Sequence, residues 1–363
     1  MKTKAFVLSA IIVLAALLYA GAPALKRSTS VAKSLSGEIS AGTHAIRAEN
    51  PLGAIAVVGV DHGFGWDWSL ECSAGSDAEA QGHIQSYRLD VQQTDDVLQI
   101  IVVVPSQHQT SHFSRETIWD RFSWGAQRMG PAGSIRRCDL HIRVPRAVAV
   151  DLKNRFGEMK VTGLTAAVNA ACEHGNVDLL DIIGKVTLKT SFAKVRMHNV
   201  TGDIKLAGKT GAIQVTGVTG DFEAVTSFAD VRIDGLDGGA RLNCQNGKVE
   251  ARRVSGDVYA NASFGRMQLD GGGRRFRARA DNGHVEITAR SPRVESIEVS
   301  ASFAPIDVLL PNGANPIVRA STFFGSVTSD FPVHNVGRAD TPPLNVVLRG
   351  QNGDIRIRRL AAQ

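Results

Sequence analysis

An 18-residue repeat is the feature that most limits what this chain can fold into. From Gly157-Glu-Met159-Lys-Val161, a small residue followed by x-apolar-x-apolar recurs at Gly175 (Val177, Leu179), Ala193 (Val195, Met197) and Gly211 (Ile213, Val215). It continues at Ala229 (Val231, Ile233), Gly247 (Val249, Ala251), Gly265 (Met267, Leu269) and Gly283 (Val285, Ile287), so eight copies stand 18 residues apart without a slip. Looser copies follow at Ala304, Gly325 and Gly353, and an earlier one stands alone at Gly53. A unit this short cannot bury an apolar face by itself, whereas stacked units bury a continuous one. A propeller blade needs about 40–45 residues, and a sandwich has no fixed short period. The repeat therefore predicts an all-β fold, a β-solenoid (β-helix) with 18-residue coils.

Two strand-like stretches fill each unit. Ahead of the small residue run the columns Val168, Val186, Ile204, Phe222, Ala240, Val258, Phe276 and, two positions on, Ala170, Leu188, Leu206, Ala224, Leu242, Ala260, Ala278. Apolar and polar residues alternate in both stretches, the period of a half-buried strand. Asn246-Gly247 and Asn282-Gly283 supply residues that tolerate positive φ in the turns. A 36-residue period overlies the first. The residue before the small turn residue is Phe at 156, 192, 228 and 264, and again at 303 and 324, but His174, Thr210, Asn246 and Asn282 in between. Two readings follow: large and small side chains interdigitating on alternate 18-residue coils, or one 36-residue coil with Phe stacked on Phe. Phe192, Phe228 and Phe264 are expected to point inward with Ile204, Phe222 and Phe276, while Lys194, Arg196, Asp230 and Arg232 face out.

These turn-Gly-Asp/Asn-apolar-x-apolar units follow an Ile142-Arg-Val144-Pro145 segment. Together they resemble the bacterial putative-adhesin family of unknown function, over about residues 43–360. The resemblance implies an N-terminal β-region leading into a β-solenoid. It brings no catalytic residues to carry over.

The chain opens with Lys2 and Lys4 and an uncharged run from Ala5 to Leu25. Ala20-x-Ala22 and Ala22-x-Ala24 fit a cleavage site, which makes residues 1–24 a signal peptide; the same run is long enough to serve as a membrane anchor. Either way the remainder is exported. Residues 25–42 read as a polar linker and 43–150 as an N-terminal β-region with an insertion at 106–134. Strands are expected near Ala54–Val60, Trp66–Cys72, Arg88–Val104 and Ile135–Val144, with a short helix over Asp77–Tyr87. The solenoid occupies 151–360. Within the insertion, Ser114 can cap a helix from Arg115 to Met129 whose stripe is Ile118, Phe122, Gly125 and Met129. Trp119 and Trp124 lie off that stripe and are candidate partner contacts.

Export changes the meaning of a net charge of +6 and a pI near 9.3. An exported chain meets polysaccharide, lipid head groups and wall polymers, and no nucleic acid. Gly202-x5-Gly208-Lys209-Thr210 is one residue too long for a phosphate loop and lies between two strands of the repeat. His108 and His112 lack the glutamate of a zinc-hydrolase helix, and no nucleophile elbow occurs. Outward columns alternate in sign, with Lys160, Asp178 and Arg196, then Arg232 and Glu250, as cross-strand ion ladders do. One stripe is more basic: Arg275, Arg277 and Arg279. It is either a contact for anionic glycan or phosphate or a ladder completed by Asp257 and Glu298.

Cys72 and Cys138 are the candidate disulfide of an exported chain. Cys172 and Cys244, four repeats apart in one column, are too distant to bridge and are expected to be buried thiols. No cofactor and no metal site is expected. The expected function is that of an exported, non-catalytic cell-envelope structural or interaction protein, adhesin-like, in the periplasm or at the cell surface. Its partner would be an envelope polysaccharide or protein, and it would touch the membrane only through an uncleaved N-terminal segment. A polysaccharide-active β-helix enzyme and a scaffold that self-assembles through open coil edges are the alternatives.

Overall fold

The computed structural model describes residues 29–40, 42–105, 134–333 and 344–360. The segment read as a signal peptide or anchor, the His108/His112 pair, and the insertion helix with Trp119 and Trp124 lie outside the described residues. The described chain is all-β with one short helix, and no helix in it is long and apolar enough to cross a membrane.

Parallel pairing at a constant offset organises the strands. Val168–Ile183 pairs with Val186–Thr201, then come Ile204–Thr219 and Phe222–Asp237, so that Val168, Val186, Ile204 and Phe222 lie side by side. The same row runs on through Ala240, Val258 and Phe276 to Ile297. From Val168 to Phe276 paired residues stand 18 positions apart along the chain, except at a register shift after Ala251, where Val254 meets Gly271. Four strands of 16 residues bend through the turn without a break, while Ala240–Asn246 and Val249–Val254 are separated at it.

The turn corrects one expectation. Phe192, Phe228 and Phe264 do not point inward; they are 56%, 61% and 55% exposed. Along Val186–Thr201 the buried residues are Val186, Leu188 and Thr190, then Ser191 at the corner itself, then Ala193, Val195 and Met197, and finally Val200. The inward set thus switches from even to odd at the corner, and residue 192 falls outside it. Neighbouring repeats place glycine at that corner with positive φ, 143° at Gly175 and 140° at Gly211. Side chains rarely tolerate this region, and a Cβ on Gly175 would stand 1.9 Å from the Gly157 carbonyl oxygen. Inward phenylalanines at this position are therefore not needed for the repeats to stack. The core has other members: Phe222 and Phe276 are buried as expected.

A further buried column, in a third stretch of each repeat, was not picked out from the sequence. It consists of Leu164, Ile182, Val200, Val218, Leu236 and Val254. Each follows a residue in the left-handed region: Gly163, Asp181, Asn199, Gly217, Gly235 and Arg253. Gly, Asn and Asp adopt that conformation at least cost. Arg253 is held there with its guanidinium 2.7 Å from Asp234.

Two compact units divide the chain. The larger comprises residues 35–68, 89–103 and 138–363. Strands from before residue 150 join the ladder within it: Ala45–Asn50 pairs with Ala149–Phe156, and Ile55–Val60 with Met159–Thr162. Among the described residues, the smaller unit includes 29–34 and 69–88 and holds one helix, Asp77–Gln85. Ser76 Oγ accepts from the Glu79 N–H at 3.3 Å, and Asp77 and Glu79 put negative charge in the first turn, as a helix N-terminus favours. Residues 29–38, inside the stretch read as a linker, form a strand paired with Gly65–Ala74. Gly37 lets the backbone pass against the Trp66 ring, where a Cβ would lie 2.5 Å from ring carbon, a contact that composition does not announce.

All four cysteines are buried free thiols, so the expected Cys72–Cys138 bridge is not made. The Cys138 thiol is turned instead toward Asn50, whose Oδ1 lies 3.7 Å from Sγ. Burial pushes the Cys138 and Cys172 thiols up to about 11, which leaves them protonated and unreactive near neutral pH.

Candidate interaction surface

The corner that turns the phenylalanines outward also lines them up. Phe156, His174, Phe192, Thr210, Phe228 and Asn246 are neighbours on successive rungs, followed by Phe264, Asn282 and Phe303. Asn352 and Phe324 close the row. Rungs are spaced by about 4.8 Å, so rings on alternate rungs stand about 9.6 Å apart. At one end His174 fills the gap, stacked at 5.0 Å on both Phe156 and Phe192. Further along, the gaps hold Thr210, Asn246 and Asn282, and the rings stand free as ridges. Phe303, Phe323 and Phe324 extend the exposed set. Monomeric proteins rarely expose contiguous apolar patches beyond a few hundred Å² without a use for them.

Two arginines of the basic stripe stand near carboxylates. Arg277 Nη2 lies 2.8 Å from Glu298 Oε2 and Arg275 Nε 3.9 Å from Asp257 Oδ2, while the Arg275 backbone N–H donates to Asp257 Oδ1 at 3.0 Å. Arg279 sits beside Asn261 and Ser300 and meets no carboxylate among the described residues. Next to this stripe Glu223, Arg241, Tyr259 and Arg277, on four successive rungs, line a shallow groove of about 300 Å³ with Asn243 and Asn261. Lys205 lies 3.5 Å from Glu223, and the Arg241 guanidinium lies 5.7 Å from the centre of the Tyr259 ring. Its charges therefore largely answer one another. Tyr259 was missed in the sequence because it stands alone among polar residues of its column.

Ion ladders elsewhere follow the expected columns. Arg196 makes two 2.6 Å hydrogen bonds to Asp178. Glu250, 2% exposed, gathers Arg232 at 2.9 Å, Lys248 at 2.9 Å and Arg252 at 2.6 Å. The Lys248 hydrogen bond first, and Arg232 after it, hold the Glu250 carboxyl down at about 2 against the opposing effect of burial. A depressed folded-state value means that this carboxylate stabilises the protein above about pH 4.5 and ceases to do so as pH falls toward 2. Glu250→Gln is expected to cost about 2 kcal/mol at pH 7, discounted for three half-exposed cations. Urea titrations should show the gap between wild type and variant closing as pH drops from 5 toward 2; a gap independent of pH would contradict the assignment.

No protein family and no curated protein matches the sequence. Solved structures do align with it. A "putative cell adhesion protein" from Clostridium sporogenes ATCC 15579 is 11% identical over 91% of this chain and 100% of its own, with a TM-score of 0.18. A "putative adhesin" from Bacteroides fragilis NCTC 9343 is 10% identical over 92% of this chain and 97% of its own, with a TM-score of 0.23. A "putative lipid binding protein" from Parabacteroides distasonis ATCC 8503 is 10% identical over 91% and 96%, with a TM-score of 0.33.

Proposed function

We propose that this chain is a β-solenoid of 18-residue coils that works in the cell envelope as an exported, adhesin-like interaction protein without catalytic activity. The parallel register and the buried columns of each repeat support the architecture. The exposed phenylalanine row carries the functional reading. Its rings are held at the surface by the geometry of the corner, in a line, where only a partner can remove them from water. The charged outer columns support the same reading, since their ions bind neighbouring repeats to each other.

Retention of the exported chain by isolated envelopes tests this function. Wild-type protein is expected to sediment with envelopes of its source cells. Phe228→Ser combined with Phe264→Ser should release it by at least about tenfold, with circular dichroism and thermal midpoint unchanged. Equal retention of the variant would remove the row from the function. Turnover of an envelope polysaccharide by the purified chain would replace the reading with that of an enzyme.

A further inference from the structure

We infer that the partner seated on the phenylalanine row is a second copy of this chain, lying antiparallel to the first, with the rings of each copy in the gaps of the other. The inference rests on the reading of the row as the working surface and names its occupant.

Alternation is the first argument. A row in which every rung carried Phe would offer a smooth ridge, and a row of Asn and Thr a polar strip. Here ring and gap alternate with a two-rung period from Phe192 to Phe324. A two-fold axis perpendicular to the row and midway between two rungs exchanges odd rungs for even ones. It therefore brings Phe192, Phe228, Phe264 and Phe303 over gaps, while Phe324 meets His174, whose ring already fills its place in the row; four rings over four gaps give the self-complementarity an isologous interface demands. With the axis between Asn246 and Phe264, Phe264 faces Asn246 of the second copy, Phe228 faces Asn282, and Phe192 faces Asn352.

Area is the second argument. Phe192, Phe228, Phe264 and Phe303 are 55–61% exposed and Phe324 76%. At roughly 200 Å² per phenylalanine these five offer roughly 600 Å², the larger part of the ~800 Å² per partner of a standard interface. Ser191, Ser227, Ser263 and Ser302 each precede a ring, so the position before each of these four rings is uncharged, and the nearby cations Lys248 and Arg266 are paired with Glu250 and Glu286 within their own copy.

Sedimentation velocity of the full chain, recovered from exporting cells and run as a dilution series, tests the inference. A reversible dimer is expected. Phe228→Ser/Phe264→Ser should weaken it at least about thirty-fold. Asn246→Arg, which blocks a gap and removes no ring, should also disrupt it; Val225→Ser, an exposed apolar residue off the row, should leave it intact. Chain that stays monomeric at every concentration, or a dimer that both row variants leave unchanged, overturns the inference. Monomeric protein that still needs Phe228 and Phe264 for envelope retention would overturn the second copy alone and leave the interaction function standing.

Discussion

Gly265→Val is expected to lower the unfolding free energy by about 3–5 kcal/mol. Gly265 adopts φ 130°, where a branched side chain meets its own backbone. A Cβ built there would lie 2.1 Å from the Gly247 carbonyl oxygen and 2.8 Å from its carbonyl carbon. Neither can yield, because Gly247 is itself held between Ala229 and Gly265 in the stack: a Cβ on Gly247 would lie 2.3 Å from the Ala229 carbonyl oxygen. Strain and overlap therefore add. Gly313→Ala is the control: its added carbon meets nothing within 4 Å, and the expected change is within about 0.5 kcal/mol. Urea denaturation followed by circular dichroism reads both. A loss below about 1 kcal/mol at Gly265 would mean that the corner is not closed by stacked backbone.

Truncating phenylalanines should separate sharply into two groups. Phe276 is 1% exposed and packs in the row that contains Val258 and Ile297. Phe276→Ala should cost about 3–5 kcal/mol, since the repeats above and below cannot collapse into the cavity without losing register. Phe228, 61% exposed, should tolerate the same change with a loss under about 1 kcal/mol. Because repeat proteins are held together by neighbour contacts, the Phe276 variant should also open locally first, with amides of the adjacent repeats exchanging faster. Equal costs at the two positions would put Phe228 back in the core and remove the exposed row.

What the sequence made legible was periodic. Strand stretches, their inward columns and the paired ions Asp178–Arg196 and Arg232–Glu250 all follow from alternation plus an 18-residue step. The corner did not, because alternation cannot show where parity shifts: Thr190 and Phe192 look equivalent until the turn between them is built. The same blindness hid the further column, in which one apolar residue, such as Val200, follows a single left-handed residue. Non-sequential order was hidden as well. Leu344–Asn352 lies between Ser296–Phe303 and Pro316–Phe324, although the chain visits it last, and irregular spacing after residue 289 gave no sign of that. Thiol chemistry was misjudged for a local reason: the contact of Cys138 with Asn50 is set by tertiary packing.

The step between repeats is the claim on which the row, its spacing and its partner all depend. Lys205, Glu223, Arg241, Tyr259 and Arg277 occupy successive rungs on an outer face, so Lys205 and Arg277 are four rungs apart. Spin labels at Lys205→Cys and Arg277→Cys, with the four native thiols buried, would report that separation by pulsed dipolar spectroscopy. Stacked 18-residue coils predict a distribution centred near about 19 Å. A centre near about 10 Å, the value for 36-residue coils, would contradict the account.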